Sequence, residues 1–116
     1  MKKIEAVIQP YKLMDVKEAL AEIGVTGLTM TEVREADRHG GHTEVYRGQR
    51  YTVDFAPRVK LEVLVPSNRA ERAIAVITKA ANTGHDDSGT IAISSVDETV
   101  TIQNGRHNTD VTRAGR

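Results

Sequence analysis

The residues of this chain that could do chemistry are its histidines and the acids beside them. His39 and His42 lie three residues apart, and His85 is followed directly by Asp86 and Asp87. Imidazole nitrogens and carboxylate oxygens suit zinc, nickel or copper, so His39, His42 and His85 are candidate metal ligands. A histidine beside an aspartate is also a candidate pair for acid–base catalysis.

Neither set of residues forms a recognised motif. The histidine spacing matches no established metal signature, and no nucleophile, base and orienting group can be assembled from the spacing. Cysteine is absent, which excludes disulfides, thiolate zinc sites and cysteine nucleophiles. The sequence therefore predicts a protein that is not an enzyme. Metal sensing through the histidines, linked to metal transport, remains open as an alternative function.

Composition narrows the class of partner. The chain has 116 residues, which predicts one domain, and its 16 basic residues balance its 16 acidic ones. This balance removes the electrostatic reason to expect binding to nucleic acid or to acidic membranes. No stretch approaches the roughly 20 apolar residues that span a bilayer, and the first residues do not form a signal peptide. A cytoplasmic protein is expected.

Apolar periodicity predicts two similar halves, each made of a strand, a helix and a strand. In the first half, Ile4, Ala6 and Ile8 alternate along a strand, helical spacing follows over residues 13–23 with a stop at Gly24, and a second strand covers residues 28–34. The order predicts an α+β fold of the β-α-β-β-α-β type, the split βαβ or ferredoxin-like arrangement.

The second half repeats this pattern. A third strand is predicted at residues 59–65 and a helix at residues 70–81, capped by Ser67 or Asn68. The positions expected to point inward from this helix are Ala70, Ala73, Ile74, Ile77 and Ala81. Strands follow over residues 91–96 and, more weakly, 99–103. A domain over residues 1–104 is therefore predicted, with a polar, frayed tail over residues 105–116.

One segment is too long for a simple hairpin. Residues 35–57 separate the second and third strands, where two to five residues would suffice. The segment is charged, contains glycines and carries Tyr46, Tyr51 and Phe55. Long loops of this kind in small domains are usually functional, so a binding loop is expected.

At this loop the sequence resembles the PII nitrogen-regulatory proteins. The run Gly-His-Thr-Glu-Val-Tyr-Arg-Gly over residues 41–48, then Tyr51 and Val-Asp-Phe over residues 53–55, is similar to the family's T-loop, here about residues 37–55. The opening residues 1–8 and the segments 15–20 and 25–29 resemble the family too. The likeness is close up to residue 66 and looser beyond.

The resemblance implies a homotrimer with a nucleotide site in each cleft between subunits. Family members sense ATP against ADP, and 2-oxoglutarate through magnesium. Their T-loop acts on target proteins such as an ammonium channel or other transporter, or a metabolic enzyme. Glu44, Arg47 and Tyr51 match the partner-binding or modified positions. The matched nucleotide-binding positions are Thr29, Arg38, Glu62, Val63, Leu64, Ser88, Gly89 and Thr90.

The phosphate elements depart from the family pattern. Where relatives end the second strand in Gly-aromatic-Gly-Arg-Gln, residues 35–39 read Glu-Ala-Asp-Arg-His. A lysine is replaced by Thr90, and two arginines of the last strand are replaced by Thr101 and Gln103. Asp87 replaces a glycine. Fewer cations and more acids disfavour a triphosphate, so ADP or AMP is expected to bind better than MgATP.

The carboxylate effector site is altered as well. His39 stands where relatives have a glutamine that helps to bind magnesium, and Arg58 stands where they have a lysine that pairs with 2-oxoglutarate. An arginine can still grip a carboxylate, but histidine prefers a softer metal than magnesium. The usual 2-oxoglutarate site is therefore not expected to persist. These features predict a divergent PII-like protein with an intact effector loop and a changed sensor.

Overall fold

Four strands form the main sheet of the computed structural model. The structure describes residues 1–36, 42–46, 48–53 and 55–109. For residues 42–46 and 49–53 it describes the backbone alone. Two short 3-10 turns, Pro10–Lys12 and Ser67–Arg69, precede the helices. In chain order the other elements are β1 (Lys2–Ile8), α1 (Leu13–Glu22), β2 (Leu28–Ala36), β3 (His42–Tyr46), β4 (Gln49–Val53), β5 (Phe55–Val65), α2 (Ala70–Ala81), β6 (Gly89–Ser95), β7 (Thr99–Thr101) and β8 (Arg106–Asn108).

The main sheet has the strand order β2-β5-β1-β6, and each neighbouring pair is antiparallel. β5 and β1 are therefore central, while β2 and β6 are the two edges. This order, with one helix after β1 and one after β5, confirms the predicted α+β ferredoxin-like fold. Among the described residues, no helix is long and apolar enough to cross a membrane.

The core lies between one face of the sheet and the two helices. Ile4, Ala6 and Ile8 of β1 are each 1% exposed, as their alternation predicts. The helices cover this face with buried residues, among them Leu20 of α1 and Ile77 of α2. The opposite face of the sheet carries the other residue of each alternating pair. We call it the open face.

The end of α1 agrees with the sequence prediction, whereas the start of α2 does not. Gly24 ends α1 as predicted, with φ at 81°, and its N–H donates to the Ala21 carbonyl at 3.0 Å. The predicted cap of α2 is wrong, because Ser67 and Asn68 lie in the preceding 3-10 turn and no side chain caps the helix. The Ser67 hydroxyl instead accepts a hydrogen bond from the α-amino group of Met1 at 2.7 Å.

The long segment between β2 and β5 contains secondary structure that the sequence analysis does not predict. β3 and β4 pair from His42 opposite Val53 to Tyr46 opposite Gln49. β2 and β5 also extend beyond the predicted limits, down to the pair Ala36–Phe55. The β2–β5 ladder therefore runs past the residues whose apolar alternation predicts it, while β3 and β4 form a separate two-stranded sheet. The T-loop of about residues 37–55 thus contains a hairpin.

The last part of the chain is also more regular than predicted. Arg106–Asn108 forms β8 and pairs with β7, so a frayed tail from residue 105 is wrong for these three residues. The turn between them is built at Asn104–Gly105. The Gly105 N–H donates to the Thr101 carbonyl at 2.7 Å, and Asn104 Oδ1 accepts from the Arg106 N–H at 3.0 Å. The β7–β8 hairpin forms a separate two-stranded sheet.

Candidate nucleotide site

The turn that leads into β6 is held together by side chains. The Ser88 hydroxyl accepts a hydrogen bond from the Thr83 N–H at 2.9 Å and donates to the His85 carbonyl at 2.8 Å. The Thr83 hydroxyl donates to Asp87 Oδ1 at 3.0 Å. Ser88, a predicted nucleotide residue, thus fixes the shape of its own turn. Because its hydroxyl is engaged there, the backbone beside it is better placed than the side chain to meet a ligand.

Gly89 and Gln9 hold this turn against the end of β1, one by close packing and the other by a hydrogen bond. Gly89 has φ at 118°, and a Cβ at this position would lie 1.9 Å from the Val7 carbonyl oxygen, so only glycine fits. Gln9 is buried, and its Nε2 donates to the Asp87 carbonyl at 2.9 Å. Gln9 is not among the residues that the sequence predicts for the site. The sequence feature that could have indicated it is a polar residue between a strand with a buried face and Pro10.

The residues after the turn are open to a ligand. Thr90 is exposed on the open face, opposite Val7 of β1. Ser88, Gly89 and Thr90 also line a groove of about 540 Å³ between α2 and β6, together with His85 and apolar residues such as Ile77. This edge of the sheet therefore offers a fixed backbone turn beside a partly apolar groove.

The other predicted nucleotide residues lie at the β2 edge. Thr29 is exposed, faces Glu62 across the ladder, and donates to the Glu62 carbonyl at 3.5 Å. Val63 is buried in the core, so only its backbone is available to a ligand. Leu64 is exposed and lies beyond Leu28–Val63, the last residue pair of the β2–β5 ladder. This edge presents a hydroxyl, an apolar side chain and strand backbone.

These two groups of residues do not meet within one chain. Thr29 and Thr90 are on opposite edges of the sheet, and these edges are three strand spacings of about 4.8 Å apart, or roughly 14 Å. Between them on the open face lie charged side chains of the central strands. The Lys3 ammonium is 3.4 Å from the Glu62 carboxylate, and the Lys60 ammonium is 4.0 Å from it.

Arg58 lies near the start of β5 beside an acid of its own chain. Its Nε is 3.8 Å from Glu35 Oε1, and its Nη1 donates to the Pro57 carbonyl at 2.8 Å. The Arg58 Nε is buried and has no hydrogen-bond partner among the described residues. Arg58 also lines a groove of about 440 Å³ with Pro10 and Glu32. The guanidinium thus already faces a carboxylate of its own chain, while its Nε is left without a hydrogen bond among the described residues.

Comparison with known proteins covers almost the whole chain. The sequence model of the family described as Nitrogen regulatory protein P-II matches residues 1–106. The chain is 50% identical over 110 residues to the Nitrogen regulatory protein P-II of Azospirillum brasilense, which covers 95% of this chain and 98% of the relative. The chain belongs to the PII family. Nitrogen regulatory protein P-II 1 of Escherichia coli is 48% identical over 105 residues, 90% of this chain and 94% of the relative.

Membership in the PII family gives the chain a general role. PII proteins are regulatory signal transducers rather than enzymes, and in general they bind adenine nucleotides and 2-oxoglutarate. The family match continues to residue 106, well past residue 66, where the resemblance of sequence motifs becomes looser. The second half of the fold, including the turn before β6, therefore lies within the family match.

The partner-binding positions of the PII T-loop are partly within the described residues. Glu44 and Tyr51 lie directly opposite each other in the β3–β4 ladder. Arg47 lies outside the described residues, as do the nucleotide position Arg38 and the effector position His39. The backbone of the hairpin thus brings two of the three predicted contact positions together.

The metal alternative gains no support from the geometry. Of the three candidate ligands, His39 lies outside the described residues and His42 is described by its backbone in β3. His85 lies in the turn before β6, where its carbonyl accepts the Ser88 hydroxyl. Within the described part of the chain, no group of three histidines or acids could hold a metal ion.

Proposed function

We propose that this PII protein is a cytoplasmic homotrimer that binds an adenine nucleotide between two of its copies. Binding then changes how the T-loop presents itself to a partner protein. The observation that carries the proposal is the placement of Thr29 and of Ser88–Thr90 at opposite edges of one sheet. Each copy has one half of a site at each edge.

An arrangement between copies fits the charges of the open face. A nucleotide that touched both edges of one chain would have to lie across the ion pair between Lys3 and Glu62. Its phosphates would then face the Glu62 carboxylate and disturb that pair. When the β2 edge of one copy stands next to the β6 edge of another, the adenine and the phosphates meet the two halves directly. Rings of copies form in this way when the same contact repeats.

The nucleotide preference follows from the charges near the β6 edge. Thr90 is neutral where relatives carry a lysine, and Asp87 adds a carboxylate to the turn, bonded to Thr83. Thr101 and Gln103 stand where relatives carry two further cations, so three are lost in all. Each charge-assisted hydrogen bond contributes about 1.5–3 kcal/mol, so this loss weakens triphosphate binding by about a thousandfold or more. ADP and AMP depend less on these cations. We therefore propose that they bind better than MgATP.

The carboxylate effector is expected to bind weakly for a related reason. Arg58 is the cation that would receive it, and the Glu35 carboxylate already stands 3.8 Å from the Arg58 Nε. An effector carboxylate must compete with this internal acid for the guanidinium. Because the Arg58 Nε lacks a hydrogen-bond partner among the described residues, a different carboxylate effector remains a better fit than none. 2-Oxoglutarate itself is proposed to bind poorly.

The output of the proposed switch is the T-loop. The β3–β4 hairpin gives this loop a regular backbone that a partner could recognise, and Glu44 and Tyr51 occupy opposite positions on it. An ammonium channel, another transporter or a metabolic enzyme is the proposed class of partner. A hairpin that moves as a unit offers a simple way to present or withdraw the loop.

Isothermal titration calorimetry tests the sensor. The wild-type protein is titrated with ADP, AMP, ATP with and without magnesium, and 2-oxoglutarate. We expect ADP and AMP to bind more tightly than MgATP, and 2-oxoglutarate to add little. A Thr90→Lys variant restores one cation at the exposed end of the turn and should strengthen ATP binding about tenfold. Tight magnesium-dependent binding of ATP to the wild-type protein would contradict the proposed preference.

A further inference from the structure

The β7–β8 hairpin has two chemically different faces. Successive side chains of a strand point to opposite faces, and residues directly opposite in a ladder share a face. Thr101 is opposite Arg106, and Thr99 is opposite Asn108, so these four residues lie on one face. Val100 and His107 are opposite each other on the second face. One face therefore carries hydroxyl, amide and guanidinium groups.

The acid that directly precedes β7 contacts the second face of the hairpin. Glu98 Oε1 lies 3.1 Å from His107 Nδ1, which draws the carboxylate to the face of Val100 and His107. Arg106 is exposed, and its guanidinium makes no hydrogen bond or ion pair within the part of the chain that the structure describes. The first face thus has a free positive charge beside a hydroxyl, which is a suitable surface for an anion.

The Arg106 charge lies directly opposite a position at which relatives carry a cation and this chain does not. Thr101 stands where the sequence analysis notes the loss of an arginine from the phosphate site, and Arg106 is its direct neighbour across the ladder. Directly opposite Cβ atoms are about 5 Å apart, a distance that the long arginine side chain readily covers. The turn at Asn104 and Gly105 fixes this register through two hydrogen bonds.

We propose that Arg106 binds a phosphate group of the adenine nucleotide, in place of the cation that position 101 lacks. The inference rests on the proposed function, because it assumes that a nucleotide binds between copies. Arginine suits this role because its planar guanidinium can donate two parallel hydrogen bonds to one phosphate. The Thr101 hydroxyl on the same face can donate a third. Arg106 is therefore a specificity-determining residue for ligands that carry phosphate.

Calorimetry with a phosphate series tests this role. ADP, AMP and adenosine are titrated into the wild-type protein and into Arg106→Gln, Arg106→Lys and Arg72→Gln variants. Arg72 is the matched control, because it is an exposed arginine on α2 and is not part of the hairpin. We expect Arg106→Gln to weaken ADP binding about ten- to a hundredfold and to leave adenosine binding unchanged. Arg106→Lys should recover part of the loss, and Arg72→Gln should match the wild type.

The outcomes separate this inference from the proposed function. If the wild-type protein binds ADP and Arg106→Gln binds it equally well, the inference is wrong while the proposed function stands. If Arg106→Gln loses ADP and adenosine alike, Arg106 has a structural role and the inference again fails. If the wild-type protein binds neither ADP nor adenosine, the proposed function is wrong, and the inference that rests on it is wrong too.

A rescue variant adds a second readout. Thr101→Arg in the Arg106→Gln background puts the cation on the facing strand, on the same face of the hairpin. We expect it to restore ADP affinity to within about threefold of the wild-type value. No recovery in a variant with the wild-type circular dichroism spectrum would overturn the idea that the two positions serve one phosphate.

Discussion

The β6 edge of the main sheet is more tightly packed and hydrogen-bonded than the β2 edge. At the β6 edge, Gly89 passes so close to Val7 that no side chain fits, and the Ser88 hydroxyl is bonded within its own turn. At the β2 edge, Thr29 is exposed and makes one long hydrogen bond of 3.5 Å. The first edge has its shape before any ligand arrives, whereas the second is ordinary strand. A site made from both would take its geometry from the β6 edge.

A substitution at Gly89 should have the largest effect. Gly89→Ala puts a Cβ against the Val7 carbonyl and requires a positive φ that alanine rarely adopts. We expect the free energy of unfolding in urea to fall by about 3–5 kcal/mol. Gly27→Ala is the matched control, since nothing lies within 4 Å of the Cβ it would add. An unchanged urea midpoint for Gly89→Ala would show that the β6 edge is not the rigid one.

A substitution at Thr29 should have a much smaller effect on stability. Thr29→Val removes a hydroxyl that is exposed and weakly bonded, and the valine keeps the strand-forming shape. We expect the free energy of unfolding to change by less than about 0.5 kcal/mol, and ADP affinity to fall about three- to tenfold. Urea denaturation and calorimetry measure the two effects separately. A large loss of stability would remove the contrast between the edges.

The sequence predicts the fold well where one face of an element is buried. The alternation of Ile4, Ala6 and Ile8 and the helical spacing over residues 70–81 arise from burial against one core, so they are visible in the chain. The predicted cap of α2 is wrong because the Ser67 hydroxyl bonds to the α-amino group of Met1, 66 residues away in sequence. The sequence does not predict the β3–β4 hairpin, because each of its strands has only five residues, too few for a clear alternation within the long segment between β2 and β5.

The candidate site, like the fold, is predictable from local sequence patterns and not from long-range contacts. Gly89 is one of the nucleotide-binding positions that the resemblance implies, and the structure adds the close approach to Val7 that requires glycine there. Gln9 was not expected, because its bond to the Asp87 carbonyl joins residues 78 positions apart. The separation of Thr29 from Thr90 likewise depends on the strand order, which is set by long-range pairing. Local patterns give residue types, while only the assembled sheet gives their positions.

We propose above all that each nucleotide site combines the β2 edge of one copy with the β6 edge of another. Two variants with exposed substitutions test it: Thr29→Trp blocks the first half, and Thr90→Glu repels phosphate at the second. Each variant alone should fail to bind ADP. After the two are unfolded and refolded together, mixed oligomers should regain binding at about a quarter of their sites, because a random contact joins two intact halves that often. A mixture that binds no ADP, although the wild-type protein refolded in the same way does, would contradict the claim.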